Sequence, residues 1–499
     1  MDLNKRLRNK KAFDLIMTAE EAANLIENNS VIGVSGFTPS GYPKAVPLAL
    51  AERGKKEKNF KLDIYSGASC GPEIDTALTN AHVIRKRLPY HTNPVIRKAI
   101  NAGEIEYLDM HLSMSPQYLN YHAIPNIDVA IIEAVAITED GHIATTSAVG
   151  NTPSFIKNAD KVIIELNVRK PLELEGMSDI IILDNPPNRK VINITKPDDK
   201  IGTPYVECGF DKIAAIVVTD LQDKTRPLTP VDETSKEISD NIITFLKGEV
   251  DKGQLTNSLL PIQSGVGSVA NAVLYGLCES DFENLTFYTE VIQDSMLELL
   301  KCGKAVFASA TSLSPSPDAL KIFEEDINFY KDKIIFRPEE ISNNPEVIRR
   351  LGVIAINTAL EADIYGNVNS THVSGSKLMN GIGGSGDFSR NASITIFTTA
   401  STAKDGLISS IVPMCSHVDH TEHDVMVLVT EQGYADLRGL SPKERAVKII
   451  ENCVHPDYKE QMTSYFERAL DNGAKHTPHI LEEAFSWHIN YKNKGTMKL

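Results

Sequence analysis

The densest chemistry in the chain lies in residues 259–300. A glycine-rich turn, Ser264-Gly265-Val266-Gly267-Ser268, leads into a helical pattern with apolar residues at Val269, Val273, Leu274 and Leu277. After Asn284 a β-type run, Leu285-Thr286-Phe287-Tyr288-Thr289, ends on a carboxylate, Glu290. A carboxylate can attack an activated carbonyl, and a glycine turn can offer backbone N–H groups to the charge that develops. Strand, glycine turn, helix and strand make the βαβ unit of an open parallel sheet, whose ligands bind beyond the carboxyl ends of its strands. Glu290 is therefore expected to be a nucleophile, with N–H groups of the turn beside it. A rival reading stands on the same residues. Gly265-x-Gly267-x-x-Ala270 with an acidic strand end 20 residues later is also the dinucleotide fingerprint, with Glu290 on a ribose. A solvated strand-end carboxylate is the third.

A second glycine loop, Asn380-Gly381-Ile382-Gly383-Gly384-Ser385-Gly386-Asp387-Phe388, bears on that choice. Two such loops can direct N–H donors at one oxygen from both sides, as in an oxyanion hole, whereas a nicotinamide enzyme needs one for its pyrophosphate. Glu431, in Thr430-Glu431-Gln432-Gly433, is another strand-end carboxylate, either structural or positioning substrate near Glu290. Lys404 is a candidate for a ligand phosphate, against the ordinary fate of a lone lysine in solvent. His417, His420 and His423 alternate with Asp419, Glu422 and Asp424. Three-residue spacing would put the histidines on one helical face for a metal. The run Val425–Val429 directly after them makes the segment a loop entering a strand, which favours a hydrogen-bonded polar turn. P-loop, zincin and serine-hydrolase motifs are missing from the sequence.

The elements that must position these groups recur. Thr18-x-x-Glu21 is a capping box. Ser30–Gly36 reads as a strand running into a glycine turn, followed by a helix over 45–52 and a strand at 62–67, the grammar of residues 259–290. The first copy ends on Ser66-Gly67, so the carboxylate is present only in the second. Val129–Gly150 aligns with Ile354–Gly375 at a constant offset of 225 residues, pairing Gly141 with Gly366 and Gly150 with Gly375. Ser35-Gly36 aligns with Ser264-Gly265 at offset 229. Such a long period indicates duplication, not a solenoid. A proline- and charge-rich region, with Pro186, Pro187, Pro197, Pro204, Pro227 and Pro230, separates the copies. The domains are expected to be 1–225 and 226–499. Ile213–Val218 reads as the last strand before the boundary. At the far end, Asp457-x-x-Glu460 is expected to cap a helix that buries Tyr458, Met462, Tyr465, Phe466 and Ala469 and stops at Gly473.

Composition narrows the class. A chain of 499 residues is long enough for two or three domains, and 42% hydrophobic with 23% charged residues is globular. Fifty-one Lys and Arg against 66 Asp and Glu leave −15, which argues against wide contact with nucleic acid or an anionic membrane. No apolar run approaches the ~20 residues of a membrane span. The charged opening without an apolar signal core, and six scattered cysteines, point to a cytoplasmic protein with reduced thiols.

Ser264-Gly-Val-Gly-Ser268, Thr289-Glu-Val-Ile-Gln-Asp294, Asn380 to Phe388, Ser416-His-Val-Asp-His-Thr-Glu-His-Asp424 and Thr430-Glu-Gln-Gly433 together resemble the acetyl-CoA hydrolase/transferase family of class I CoA-transferases. The likeness runs from about residue 10 to 490. It implies an α/β fold of two related open-sheet domains of the NagB/RpiA/CoA-transferase-like type, and a homodimer. It makes Glu290 catalytic and gives the oxyanion hole to the N–H groups of Val266 and Gly384. Coenzyme A, as a substrate and not a tightly bound cofactor, falls to Ser264, Gly265, Val266, Gly267, Ser268, Asn380, Gly384 and Lys404. Asn343 matches a position near the substrate and Glu431 one near the catalytic glutamate, and the histidine cluster receives no metal. The implied reaction moves CoA between a succinyl, butyryl or 4-hydroxybutyryl donor and acetate. Acetyl-CoA hydrolysis is the alternative, and a non-catalytic acyl-CoA-binding protein the remaining one.

Overall fold

The structure is a computed structural model that describes residues 2–225, 227 and 230–499. The chain forms two compact units, Met1–Leu228 with Thr286–Leu351, and Thr229–Leu285 with Gly352–Leu499. Residues 286–351, which the sequence-based division gives to the second domain, thus make their densest contacts in the first unit. The two divisions differ in kind, one following duplication along the chain and the other packing in space. Arg226, at the expected boundary, lies outside the described residues.

The first unit holds an open sheet ordered Glu106–Tyr107, Ile84–Leu88, Leu62–Tyr65, Val31–Val34, Ile127–Ile137, Ala159–Asn167, Ile213–Thr219, all parallel, with Ile143–Thr145 antiparallel on Ile127–Ile137. Val31–Val34 and Leu62–Tyr65 are buried throughout, as strands covered on both faces must be. The expected capping box forms, with Thr18 and Glu21 bonded reciprocally. The helix Ala45–Lys56 starts differently. Its N-cap residue Lys44 makes no side-chain cap. The buried Glu165 carboxylate instead accepts the N–H groups of Lys44, Ala45 and Val46 at 2.8, 3.1 and 2.7 Å. Those are orphan donors at the positive end of a helix, so an anion there is satisfied and stabilising.

Beside this cap the Lys44 ammonium lies 2.5 Å from Glu133 and 2.8 Å from Asp223, and Lys170 is 2.5 Å from Asp223. All four side chains are buried. The remainder of the unit adds Ala305–Ala310 paired in parallel with Ile334–Phe336, and Val291–Ile292 with Ser312–Leu313.

In the second unit Ile262–Ser264, Ile354–Thr358, Ile394–Thr398 and Val427–Thr430 lie side by side in parallel, and Gly433–Asp436 closes the edge antiparallel. The helix Ser268–Glu279 follows the first glycine turn and packs on Glu233–Asp251. The late helix runs Pro456–Asp471 and buries the five residues expected of it. Its cap is His455, whose ring accepts the Asp457 N–H at 3.2 Å, rather than Asp457 itself. Pro456 fits the first helical position, where no N–H is needed, and this moves the start upstream.

Two marks of the repeat are visible in each unit by itself. Gly141 and Gly366 have φ of 84° and 93°, and Gly150 and Gly375 have 51° and 76°. The earlier alignment does not carry over: Gly36 is left-handed at 101°, but in the second copy Gly267, not Gly265, takes that role at 127°. Among the described residues no helix is long and apolar enough to cross a membrane.

Candidate active site

Glu290 sits two residues past the strand Leu285–Tyr288, in a main chain that is clamped on both sides. The Thr289 N–H donates to Ser309 O at 3.0 Å, and the Glu290 carbonyl accepts the N–H groups of Thr311 and Ser312 at 3.0 and 3.1 Å. Its side chain is only half-buried. The amide of the fully buried Asn343 donates to Glu290 Oε1 at 2.7 Å. Asn343 is oriented in turn: its oxygen accepts the Ser342 hydroxyl at 3.1 Å and its N–H donates to Glu339 O at 2.9 Å, ending the short helix Glu339–Ser342. Tyr288 fastens that helix back to the strand by donating to Ile341 O at 2.5 Å. The outcome is a carboxylate on a rigid backbone with one oxygen held by a neutral donor. The amide orients the carboxylate without adding a formal charge of its own.

Glu340, on the same helix, is buried, and burial pushes its carboxyl up to about 7, against the opposing pull of Arg189 and Lys157. A folded-state pKa above the unfolded one means the folded chain holds the extra proton. Its stabilising contribution is complete below the unfolded pKa and is lost as pH rises through about 7. Denaturant midpoints are expected to fall between pH ~5 and ~8, by about 3 kcal/mol of stability at most from this group. Glu340→Gln should flatten that decline, leaving the part due to Asp363, which burial pushes up to about 6. A variant whose midpoint falls as steeply as the parent's would remove Glu340 from the account.

The second unit carries the remaining candidates at one edge. Its four parallel strands have their carboxyl ends together, which gathers the turn after Ser264, the segment after Thr398 and Glu431. Gly265 donates its N–H to Ile356 O at 3.0 Å, and Gly267 caps the helix Ser268–Glu279. A Cβ on Gly267 would meet nothing within 4 Å, so its φ of 127°, not crowding, is what demands glycine. In the second loop Gly383 is left-handed at 62° and Gly384 caps the helix Ser385–Ser389. The Asn380 amide donates to Ser370 O and Gly381 O at 3.2 and 2.9 Å, which braces the loop's start.

Glu431 receives the Ser401 N–H at 2.8 Å and the Ser401 hydroxyl. Burial pushes this carboxyl up, but the two Ser401 bonds outweigh it and hold it below the usual range. Lys404 is exposed in the hairpin Thr402–Ala403 and Ile408–Ser409. It and Asp405 are left-handed at 51° and 55°, a strained pair for residues with side chains. Its ammonium is 2.5 Å from the Tyr491 hydroxyl and 5.2 Å from that ring's centre.

The structure therefore brings Glu290 and Asn343 together in the first unit. Ser264 to Ser268, Asn380, Gly384, Lys404 and Glu431 belong to the second. The histidine segment is a loop entering the strand Val427–Thr430, as its sequence suggests. Sequence reading missed Tyr491, Ser401 and the buried amide pair Gln263–Asn357, bonded both ways at 3.2 Å. Each partner is at least 30 residues away along the chain, and no local pattern could have joined them.

Solved structures give the class. RipA from Yersinia pestis superposes with a TM-score of 0.71 at 21% identity, covering 94% of this chain and 99% of that one. A 4-hydroxybutyrate CoA-transferase from Porphyromonas gingivalis does so at 0.62 and 18%, covering 93% and 98%. The fold is that of the CoA-transferase group. Residues 1–218 match the acetyl-CoA hydrolase/transferase N-terminal domain and residues 322–466 its C-terminal domain. A succinyl-CoA:acetate CoA-transferase of Clostridium kluyveri is 62% identical over 99% of this chain and 92% of its own. A propanoyl-CoA:succinate CoA transferase of Escherichia coli is 46% identical (96% and 98%), and an acetyl-CoA hydrolase of Schizosaccharomyces pombe 45% (100% and 99%). The chain belongs to the acetyl-CoA hydrolase/transferase family and is an enzyme of that family.

Proposed function

We propose that the enzyme moves CoA from a short-chain acyl-CoA, with succinyl-CoA first among the donors, to acetate or the reverse, through a thioester on Glu290. The observation that carries this reading is the Glu290 carboxylate itself, fixed at its main chain and aimed by Asn343. Identity of 62% to a succinyl-CoA:acetate CoA-transferase supports the donor and acceptor.

The steps balance without any outside reagent. A Glu290 oxygen attacks the thioester carbonyl, the C–S bond breaks, and CoA leaves as thiolate from a mixed anhydride. The thiolate attacks the glutamyl carbonyl, the acyl carboxylate departs, and a Glu290–CoA thioester remains. An acceptor carboxylate then runs the two steps backwards. We assign the N–H groups of Val266 and Gly384 to the oxyanion of the tetrahedral intermediates, each contributing about 3 kcal/mol to lowering the barrier. Ser264 to Ser268, Asn380 and Lys404 are assigned to CoA, and Glu431 to holding the Ser401 turn beneath it. Hydrolysis of the activated intermediates is the competing outcome, limited by keeping water out. We assign a cytoplasmic location, on the six scattered cysteines with no Cys-x-x-Cys pair among them, and a homodimer as the working form.

Lys404 gives a test of CoA placement. As a phosphate contact it recognises the nucleotide end of CoA and not the reacting thioester. Lys404→Ala is expected to raise KM for an acyl-CoA by ~10-fold, the size of a charge-assisted hydrogen bond. KM for the matching acyl-pantetheine, which lacks the nucleotide, should stay unchanged. Equal increases for both substrates would dismiss the assignment.

A panel of acyl-CoA donors against acetate, read as transfer and as hydrolysis separately, tests the function as a whole. Hydrolysis without transfer from every donor would replace this reading with the hydrolase one.

A further inference from the structure

The histidine segment 416–424 has no role in the chemistry above. Its buried member is His420, 2% exposed, with its ring 4.7 Å from that of Phe397. The backbone is fixed on Val368 in both directions, at 2.8 and 3.0 Å. Around the ring stand three hydroxyls. Nε2 lies 3.1 Å from Ser385 Oγ and 3.4 Å from Ser370 Oγ, and Nδ1 is 3.4 Å from Ser389 Oγ. Ser385 already donates its hydrogen to Ile382 O at 2.8 Å. Its oxygen must then accept from the ring, which assigns the proton to Nε2 and leaves Nδ1 to accept from Ser389.

These contacts close on the second glycine loop. Ser385 directly follows Gly384, and its bond to Ile382 O spans the Ile382-Gly383-Gly384-Ser385 turn. Asp419 braces the same wall from the other side, accepting the Ser370 N–H at 2.7 Å and the Thr371 hydroxyl at 2.9 Å, while Ser370 O takes the Asn380 amide.

We propose that His420 is a positioning residue: by holding Ser385 through Nε2–H it sets the direction of the Gly384 N–H. The proposal rests on the assignment of Gly384 as an oxyanion donor. A turn with two consecutive glycines has little stiffness of its own, and an N–H aimed at a transition-state oxygen loses its value when misdirected. The oxyanion exists only in the transition state, so the cost of misdirecting this N–H falls on kcat far more than on CoA affinity, even with Gly384 also among the residues beside CoA.

His420→Phe keeps a ring against Phe397 and removes both nitrogens, Ser385→Ala removes the acceptor, and His420→Gln restores an N–H near the Nε2 position. Transfer kinetics and calorimetric CoA binding are measured for each and for the double variant. Each of His420→Phe and Ser385→Ala is expected to lower kcat at least ~10-fold, with the CoA Kd within ~2-fold of the parent. The double variant should lose no more than the worse single one, because both break the same link. His420→Gln should recover most of the rate. Losses that multiply in the double variant, a parental kcat in Ser385→Ala, or weaker CoA binding at unchanged kcat would each overturn the proposal. Should His420→Phe fail to fold, Ser385→Ala decides alone. An active parent silenced by Glu290→Ala but indifferent to these changes leaves the transferase reading standing and removes only this one. A parent without transfer removes both.

Discussion

Glu290→Ala is expected to lower CoA transfer at least ~100-fold, equivalent to about 2.7 kcal/mol of transition-state stabilisation. The reason is geometric as well as chemical. The main chain at Glu290 is locked by Ser309, Thr311 and Ser312, so its carboxylate is presented from a fixed backbone, and truncation removes the nucleophile without relaxing that ladder. Removing the side chain also removes the Asn343 amide's bond to Oε1. The covalent intermediate provides a second readout. Parent enzyme incubated with acyl-CoA alone and then borohydride should carry a reduced residue in the peptide holding Glu290, detected by mass spectrometry. A variant with more than ~1% of parental transfer, above what a lost nucleophile permits, or an unmodified peptide from fully active parent, would end the glutamyl-CoA mechanism.

The second large effect falls on stability. Asp223→Ala is expected to cost about 3–5 kcal/mol of unfolding free energy, the range for breaking a buried ion pair from one side. Lys44 and Lys170 both lean on that carboxylate, and the variant leaves Lys44 with the Glu133 carboxylate and the Tyr42 carbonyl. Burial by itself pushes Asp223 up, but Lys170 and Lys44 outweigh it and hold the group at about 2. A depressed folded-state pKa contributes stability above the unfolded value and loses it as pH falls through about 2. Asp223 and Glu340 thus act at opposite ends of the pH range. Urea unfolding near neutral pH measures the effect, and a loss under ~1 kcal/mol would show the cluster to be an ordinary exposed-type pairing.

Much of the local structure around the candidate site was legible because its signals are local. A glycine turn before a helix, a carboxylate just past a β-type run and a capping box each need only neighbours within a few residues, and Ser264–Ser268, Glu290 and Thr18 all stand where those rules put them. The late helix buried the expected five side chains for the same reason, though Pro456 moved its cap to His455. What stayed hidden depends on residues far apart in the chain. Lys44 meets Asp223, Lys404 meets Tyr491, and His420 meets Ser385 only after folding, and charge or hydroxyl content carries no address. The assignment of residues 286–351 to the first unit belongs with these, since alternating strands and helices look alike in either copy.

The start of the helix Ala45–Lys56 can seat one anion, and Glu165 already occupies it. A phosphate arriving there would have to displace a carboxylate that cannot leave the chain. That helix start is therefore closed to an outside anion by the covalent connectivity of the chain itself.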